Sequence, residues 1–113
     1  MKRGDVVLTI LPFTDLSGQK RRPALIVSPD TRPGDDVIVA FVTRYLGQPL
    51  LSTEVSVLDN DPDFGQTKLK LSSVIKADKL FTIHKNLIVG KVAELVPRMM
   101  QNVDRALRLA LGL

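Results

Sequence analysis

Short apolar runs separated by turn residues fill most of this chain, and the period changes to that of a helix only near its end. Val6–Leu11 is an apolar, β-rich run stopped by Pro12, which predicts a strand. A polar stretch from Thr14 to Arg21, punctuated by Ser17-Gly18, leads to a second strand over Ala24–Val27. Ser28-Pro29-Asp30 and Arg32-Pro33-Gly34-Asp35 form the next connection. Val37–Thr43 is nearly continuous in apolar residues, as in strands covered on both faces. Thr53–Val57 alternates and predicts a half-buried strand; Asp59–Gly65 is a turn cluster. Lys68–Leu71 alternates again and runs into a Ser73-Val74-Ile75 strand, and Leu80–Ile83 is a further short one. Many short strands with frequent turns indicate a barrel or a sandwich. From Pro97, suited to a first helical position, Met100, Val103, Leu107 and Leu111 recur at spacings of three and four. Met99, Ala106 and Ala110 flank that stripe, while Arg98, Gln101, Arg105 and Arg108 take the other face. The pattern is therefore mainly β with one amphipathic C-terminal helix packed on it.

With 113 residues, 44% hydrophobic and 25% charged, the chain reads as one globular domain, 1–113, with enough core to fold unaided. It has no cysteine, which excludes disulfides, thiolate zinc sites and cysteine nucleophiles, and its one histidine, His84, cannot build a multi-histidine metal site. No cofactor or metal is expected. The N-terminus lacks an apolar signal region and no apolar run nears the ~18 residues of a membrane span, so a soluble, cytoplasmic protein without membrane association is expected. The net charge of +4 leans weakly toward an anionic partner. Aromatic residues make up only 4%, too few for a base-stacking platform.

Candidate chemistry gathers at Lys20-Arg21-Arg22-Pro23, immediately before the second strand. An arginine at the mouth of a buried strand is held by the core behind it and offers a charged fork of donors suited to a phosphate. Taken alone, such an arginine is more often a surface ion-pair residue. Likewise Thr43 at a strand end is more often a plain β-former, and Lys76 and Asp78, on alternate positions, more often an exposed ion pair worth little. His84 reads as structural or exposed, and Lys68 and Lys70 as a solvated strand face.

Several pieces, in order, shift these odds. Lys2-Arg3-Gly4-Asp5-Val6-Val7, then Arg21-Arg22-Pro23-Ala24-Leu25-Ile26-Val27-Ser28, then Val39-Ala40-Phe41-Val42-Thr43 and finally the segment 73–83 follow one another at spacings that resemble the MazF/PemK (Kid) family of toxin endoribonucleases over essentially the whole chain. The resemblance implies an SH3-like β-barrel with a C-terminal helix, usually a homodimer. It implies metal-independent cleavage of single-stranded RNA at short sequences, leaving 2′,3′-cyclic phosphate and 5′-hydroxyl ends, with a cognate antitoxin blocking the site. The family's essential arginine falls on Arg22 and its essential threonine on Thr43. The arginine and aspartate given acid–base work in the PemK branch fall on Lys76 and Asp78, and Gln19, Lys20, Arg21 and Arg44 are assigned to RNA contact.

The chain departs from the pattern in three places. Its first loop, Asp15-Leu16-Ser17-Gly18-Gln19-Lys20, keeps the family's glutamine but not its glutamate or glycine pair. Arg44 stands where a serine often follows the threonine, and Lys76 replaces the PemK arginine, losing the bidentate fork. Two other readings stay open: a protein-binding gyrase poison of the same fold, like CcdB, or a MazF-like domain that binds without cleaving. The first needs its functional residues at the extreme C-terminus, where Leu109-Ala110-Leu111-Gly112-Leu113 reads as packing.

Overall fold

The computed structural model describes residues 1–10 and 20–113. Six strands, β1 (Asp5–Ile10), β2 (Arg21–Ile26), β3 (Asp36–Arg44), β4 (Glu54–Val57), β5 (Ser73–His84) and β6 (Ile88–Glu94), pair antiparallel in the order β4-β5-β3-β2-β1-β6. A one-turn helix α1 (Phe64–Thr67) precedes β5, and α2 (Pro97–Leu111) closes the chain. Val57 on β4 and Ala93 on β6, the two edge strands, belong to one buried cluster with Val6, Leu25, Ala40 and Ile75. The sheet thus curls around a common core as the barrel expectation requires. Among the described residues, its ladder stays open between β4 and β6.

Helix α2 packs into that cluster through Met99 and Val103. The buried stripe is Met99, Val103 and Ala106, rotated from the Met100–Leu107–Leu111 line that spacing suggested; Met100 and Leu107 are only partly buried. Leu109 and Leu111 are each 57% exposed and Leu113 is 87% exposed, so the reading of this tail as packing is corrected. Gly112 adopts φ 71°, in the left-handed region where glycine is favoured, and ends the helix there. At the other end of the chain, Gly4 (φ 96°) accepts from Leu95 N–H at 3.0 Å and donates to Ile26 O at 2.9 Å, tying the approach to β1 to both neighbours.

The opposite face of the sheet carries a second cluster, Val7, Ala24, Ile26, Val37, Val39 and Ile83, with Phe41 and Phe81 packed edge-to-face on it at 5.6 Å. The near-continuous apolar run of β3 is explained by this: Ala40 and Val42 serve the helix-side core, and Val37 and Val39 the other.

Two expectations are corrected and one strand was not anticipated. Ser73-Val74-Ile75 and Leu80–Ile83 are not separate strands but the ends of β5, whose register with β3 slips between Ala40 and Phe41 and leaves Ala77–Lys79 without partners there. Ile75 and Leu80 both pack on the helix-side core, yet strict alternation sets residues five apart on opposite faces; the slip reconciles them. Lys68–Leu71 is not a strand: Thr67 Oγ1 donates to Phe64 O at 2.7 Å and accepts from Leu69 N–H at 3.0 Å, and Lys68 turns the chain at φ 70°. Finally, β6 escaped notice because Gly90 and two register shifts against β1 break its period.

Candidate functional site

Strand register assembles the candidate residues on one face. On β2, Ala24 and Ile26 point to the second cluster, so Arg22 faces the same way. On β3, Val39 and Phe41 do the same, and Thr43 follows. Ala24 pairs with Phe41 and Leu25 with Ala40, so continuing that register sets Arg22 across from Thr43. Arg22 also stands opposite Thr9 of β1, whose buried hydroxyl donates to Leu87 O at 2.9 Å. One row away, Glu54, Lys76, Phe41, Ala24 and Val7 lie side by side across five strands. Lys76 is thus a diagonal neighbour of Thr43, roughly 7–8 Å away between backbones on the same face.

The arginine is available. Arg22 is exposed, and among the described residues its guanidinium makes no hydrogen bond or ion pair; the same holds for Arg21 and Arg44. Three cations therefore gather at the ends of β2 and β3, Arg22 on the face of Thr43 and, by the same alternation, Arg21 and Arg44 on the opposite face. Lys20 precedes them, exposed, and Gln19 lies outside the described residues. Thr43 and Arg44 also border a cleft of about 360 Å³ walled by Pro23, Val42 and Leu69 and rimmed by Lys68 and Lys70. Val6, Val42 and Leu69 belong to the helix-side core, so this cleft and its two lysines lie on the other face of the sheet from Arg22, and the lysines follow a turn rather than the strand face expected of them.

The Lys76–Asp78 pair does not form. Lys76 Nζ lies 3.6 Å from Glu54 Oε2, and Asp78, exposed in the β5 irregularity, has no partner among the described residues. Glu54 is the residue that sequence reasoning missed. The alternation of Thr53–Val57 marked it as polar-facing, but nothing local revealed that β4 would pair with β5 in this register. His84 takes the structural role expected of it: its Nδ1 accepts from Asn86 N–H at 3.0 Å and caps the turn before β6.

Comparison with known proteins decides the family. The model of the PemK-like, MazF-like toxins of type II toxin-antitoxin systems matches residues 2–111. The chain belongs to that family. It is 32% identical to the endoribonuclease MazF of Staphylococcus saprophyticus over 116 residues, covering all of this chain and 92% of the relative. It is also 32% identical to the endoribonuclease EndoA of Bacillus subtilis over 121 residues, covering all of this chain and 96% of that one. Among solved structures, an endoribonuclease from a mycobacterial species in complex with its cognate antitoxin superposes with a TM-score of 0.78 at 27% identity, covering all of this chain and 96% of the other. For this PemK/MazF-like toxin, no helix among the described residues is long and apolar enough to cross a membrane.

Proposed function

We propose that this toxin is an endoribonuclease that cleaves single-stranded RNA by metal-independent transphosphorylation, with Arg22 and Thr43 at the centre of its site. The observation that carries the reading is an exposed guanidinium without a partner among the described residues and a hydroxyl that the β2–β3 register, extended two residues beyond its last pair, sets on the same sheet face. In the reaction the ribose 2′ oxygen attacks phosphorus and loses its proton to a base, while the bond from phosphorus to the 5′ oxygen breaks and that oxygen takes a proton from an acid. The products are a 2′,3′-cyclic phosphate and a 5′-hydroxyl. The attacking oxygen belongs to the substrate, so no protein nucleophile is needed. Arg22 supplies paired N–H donors to the phosphorane oxygens and Thr43 Oγ1 a further hydrogen bond. Lys76 serves the leaving oxygen and Asp78 accepts the 2′ proton. Arg21, Arg44, Lys20 and Gln19 track the RNA backbone.

One mycobacterial relative is solved in complex with its cognate antitoxin, which supports a cognate antitoxin as this toxin's partner; the working form in this reading is a cytoplasmic homodimer. Incubating the protein with a long unstructured RNA in EDTA and mapping the new 5′ ends tests the reading. Discrete cuts with 5′-hydroxyl ends are expected. Activity that vanishes on chelation and returns with magnesium overturns the mechanism, and RNA binding without cuts leaves a toxin-fold binder.

A further inference from the structure

Glu54 sits directly across from Lys76 in the β4–β5 ladder, and its carboxylate is committed at both oxygens. Oε1 accepts from Leu51 N–H at 2.8 Å, while Glu54 N–H donates back to Leu51 O at 3.0 Å, closing a tight turn at the start of β4. Oε2 faces Lys76 Nζ at 3.6 Å, with the glutamate side chain only 11% exposed and the lysine 25%. A lysine is a compact charge on a flexible four-carbon stem, and alone it samples many rotamers. Here the turn fixes the carboxylate, and the carboxylate attracts the ammonium across 3.6 Å without a hydrogen bond between them. The ammonium has three N–H donors, so one ion pair leaves donors for a phosphate.

We propose that Glu54 is a positioning residue: it holds the Lys76 ammonium on the Arg22–Thr43 face, one row from that pair, ready for an arriving phosphodiester. The catalytic consequence rests on the ribonuclease reading above; the positioning itself does not, and the test separates them. Glu54→Gln keeps nearly the same volume and an oxygen for Leu51 N–H but removes the charge that holds Lys76. With a short RNA substrate, kcat should fall roughly 10- to 100-fold while KM stays within about threefold, as for a displaced group acting in the transition state. In a Lys76→Ala background the same substitution should cost nothing further, because the two act as a unit. Glu54→Asp should recover part of the loss.

A readout independent of cleavage is the ¹⁵N relaxation of the Lys76 ammonium, expected to be ordered in the wild type and mobile in Glu54→Gln, with the melting temperature little changed. Two results overturn the proposal: wild-type kcat in Glu54→Gln with only a lowered melting temperature, or an ammonium equally mobile in both proteins. If the wild type cleaves no RNA, an ammonium that loosens in Glu54→Gln still supports the positioning role, while the ribonuclease reading falls.

Discussion

Arg22→Ala is the substitution on which the site assignment depends. In the fold it should cost little: the side chain is exposed at the entrance to β2 and has no hydrogen bond or ion pair among the described residues. Surface changes of that kind lie within about 0.5 kcal/mol, so the thermal melt should match the wild type. In the reaction the loss should be large. A donor aimed at developing oxyanion charge is worth about 3–4 kcal/mol, which is roughly 10²–10³ in kcat. Arg22→Lys separates charge from geometry: it keeps the positive charge but not the fork, so KM should recover while kcat remains about tenfold or more down. Thr43→Val removes a single neutral donor from the same phosphate and should cost about tenfold. Combined with Arg22→Ala it should add less than its own full effect, since both act on one group. The assay is single-turnover and steady-state cleavage of a short fluorescent RNA, alongside a melt for every variant. A folded Arg22→Ala protein with kcat within roughly threefold of wild type refutes the assignment.

Much of this candidate site was legible in the sequence because the order of the family-like segments singled out Arg22 and Thr43, and both lie at the ends of strands that announce themselves by period. Arg22 and Thr43 sit at opposite ends of two apolar runs joined by a Pro- and Gly-rich connection, so antiparallel pairing brings the start of one beside the finish of the other. Their union on one face needs only that register be respected. What the sequence concealed depends on non-local pairing or on broken period. The slip in β5 separates Asp78 from Lys76 and hides the true length of that strand, because the charged residues Lys76, Asp78 and Lys79 interrupt the apolar pattern between Ile75 and Leu80. The partnership of Lys76 with Glu54 spans a loop and a helix and follows solely from β4 joining the sheet at its edge. The helix-like turn at Phe64–Thr67 was masked for a different reason: alternation in Lys68–Leu71 mimics a strand, while Thr67 hydrogen bonds locally and turns the chain away.

Asp78→Asn keeps size and hydrogen bonding but removes the carboxylate base, so kcat should fall far more than RNA affinity measured with a 2′-deoxy analogue; unchanged cleavage would move the proton transfer elsewhere. Lys76→Arg should hold or raise activity and Lys76→Ala should lower the slope of log affinity against log salt by about one, a constant slope counting against phosphate contact. Val103→Ala, at a fully buried position where α2 meets the sheet, should lower folding stability by about 2 kcal/mol in denaturant melts without changing kcat at low temperature; a loss under roughly 0.5 kcal/mol would mean the helix contributes little to the core. The last prediction concerns pH and Asp5, whose side chain is only 3% exposed. Burial pushes this carboxyl up, but Lys2 N–H at 2.9 Å and the Lys91 and Lys2 ammoniums, each 3.2 Å away, outweigh it and hold it below the ordinary carboxylate range. A carboxyl that binds its proton less readily when folded contributes stability above its unfolded value near ~3.9, and that contribution disappears as pH falls through the lower folded value. The melting temperature should therefore drop below about pH 4, more steeply in wild type than in Asp5→Asn. Asp5→Asn should already be about 1 kcal/mol less stable at neutral pH, because the two ammoniums lose the buried one of the two anions they share, while Glu94 still pairs with both and the amide carbonyl still accepts from Lys2 N–H. Parallel acid limbs in the two proteins would show that Asp5 titrates alike folded and unfolded, and that the network joining the chain's start to β6 does not stabilise the fold through its charge.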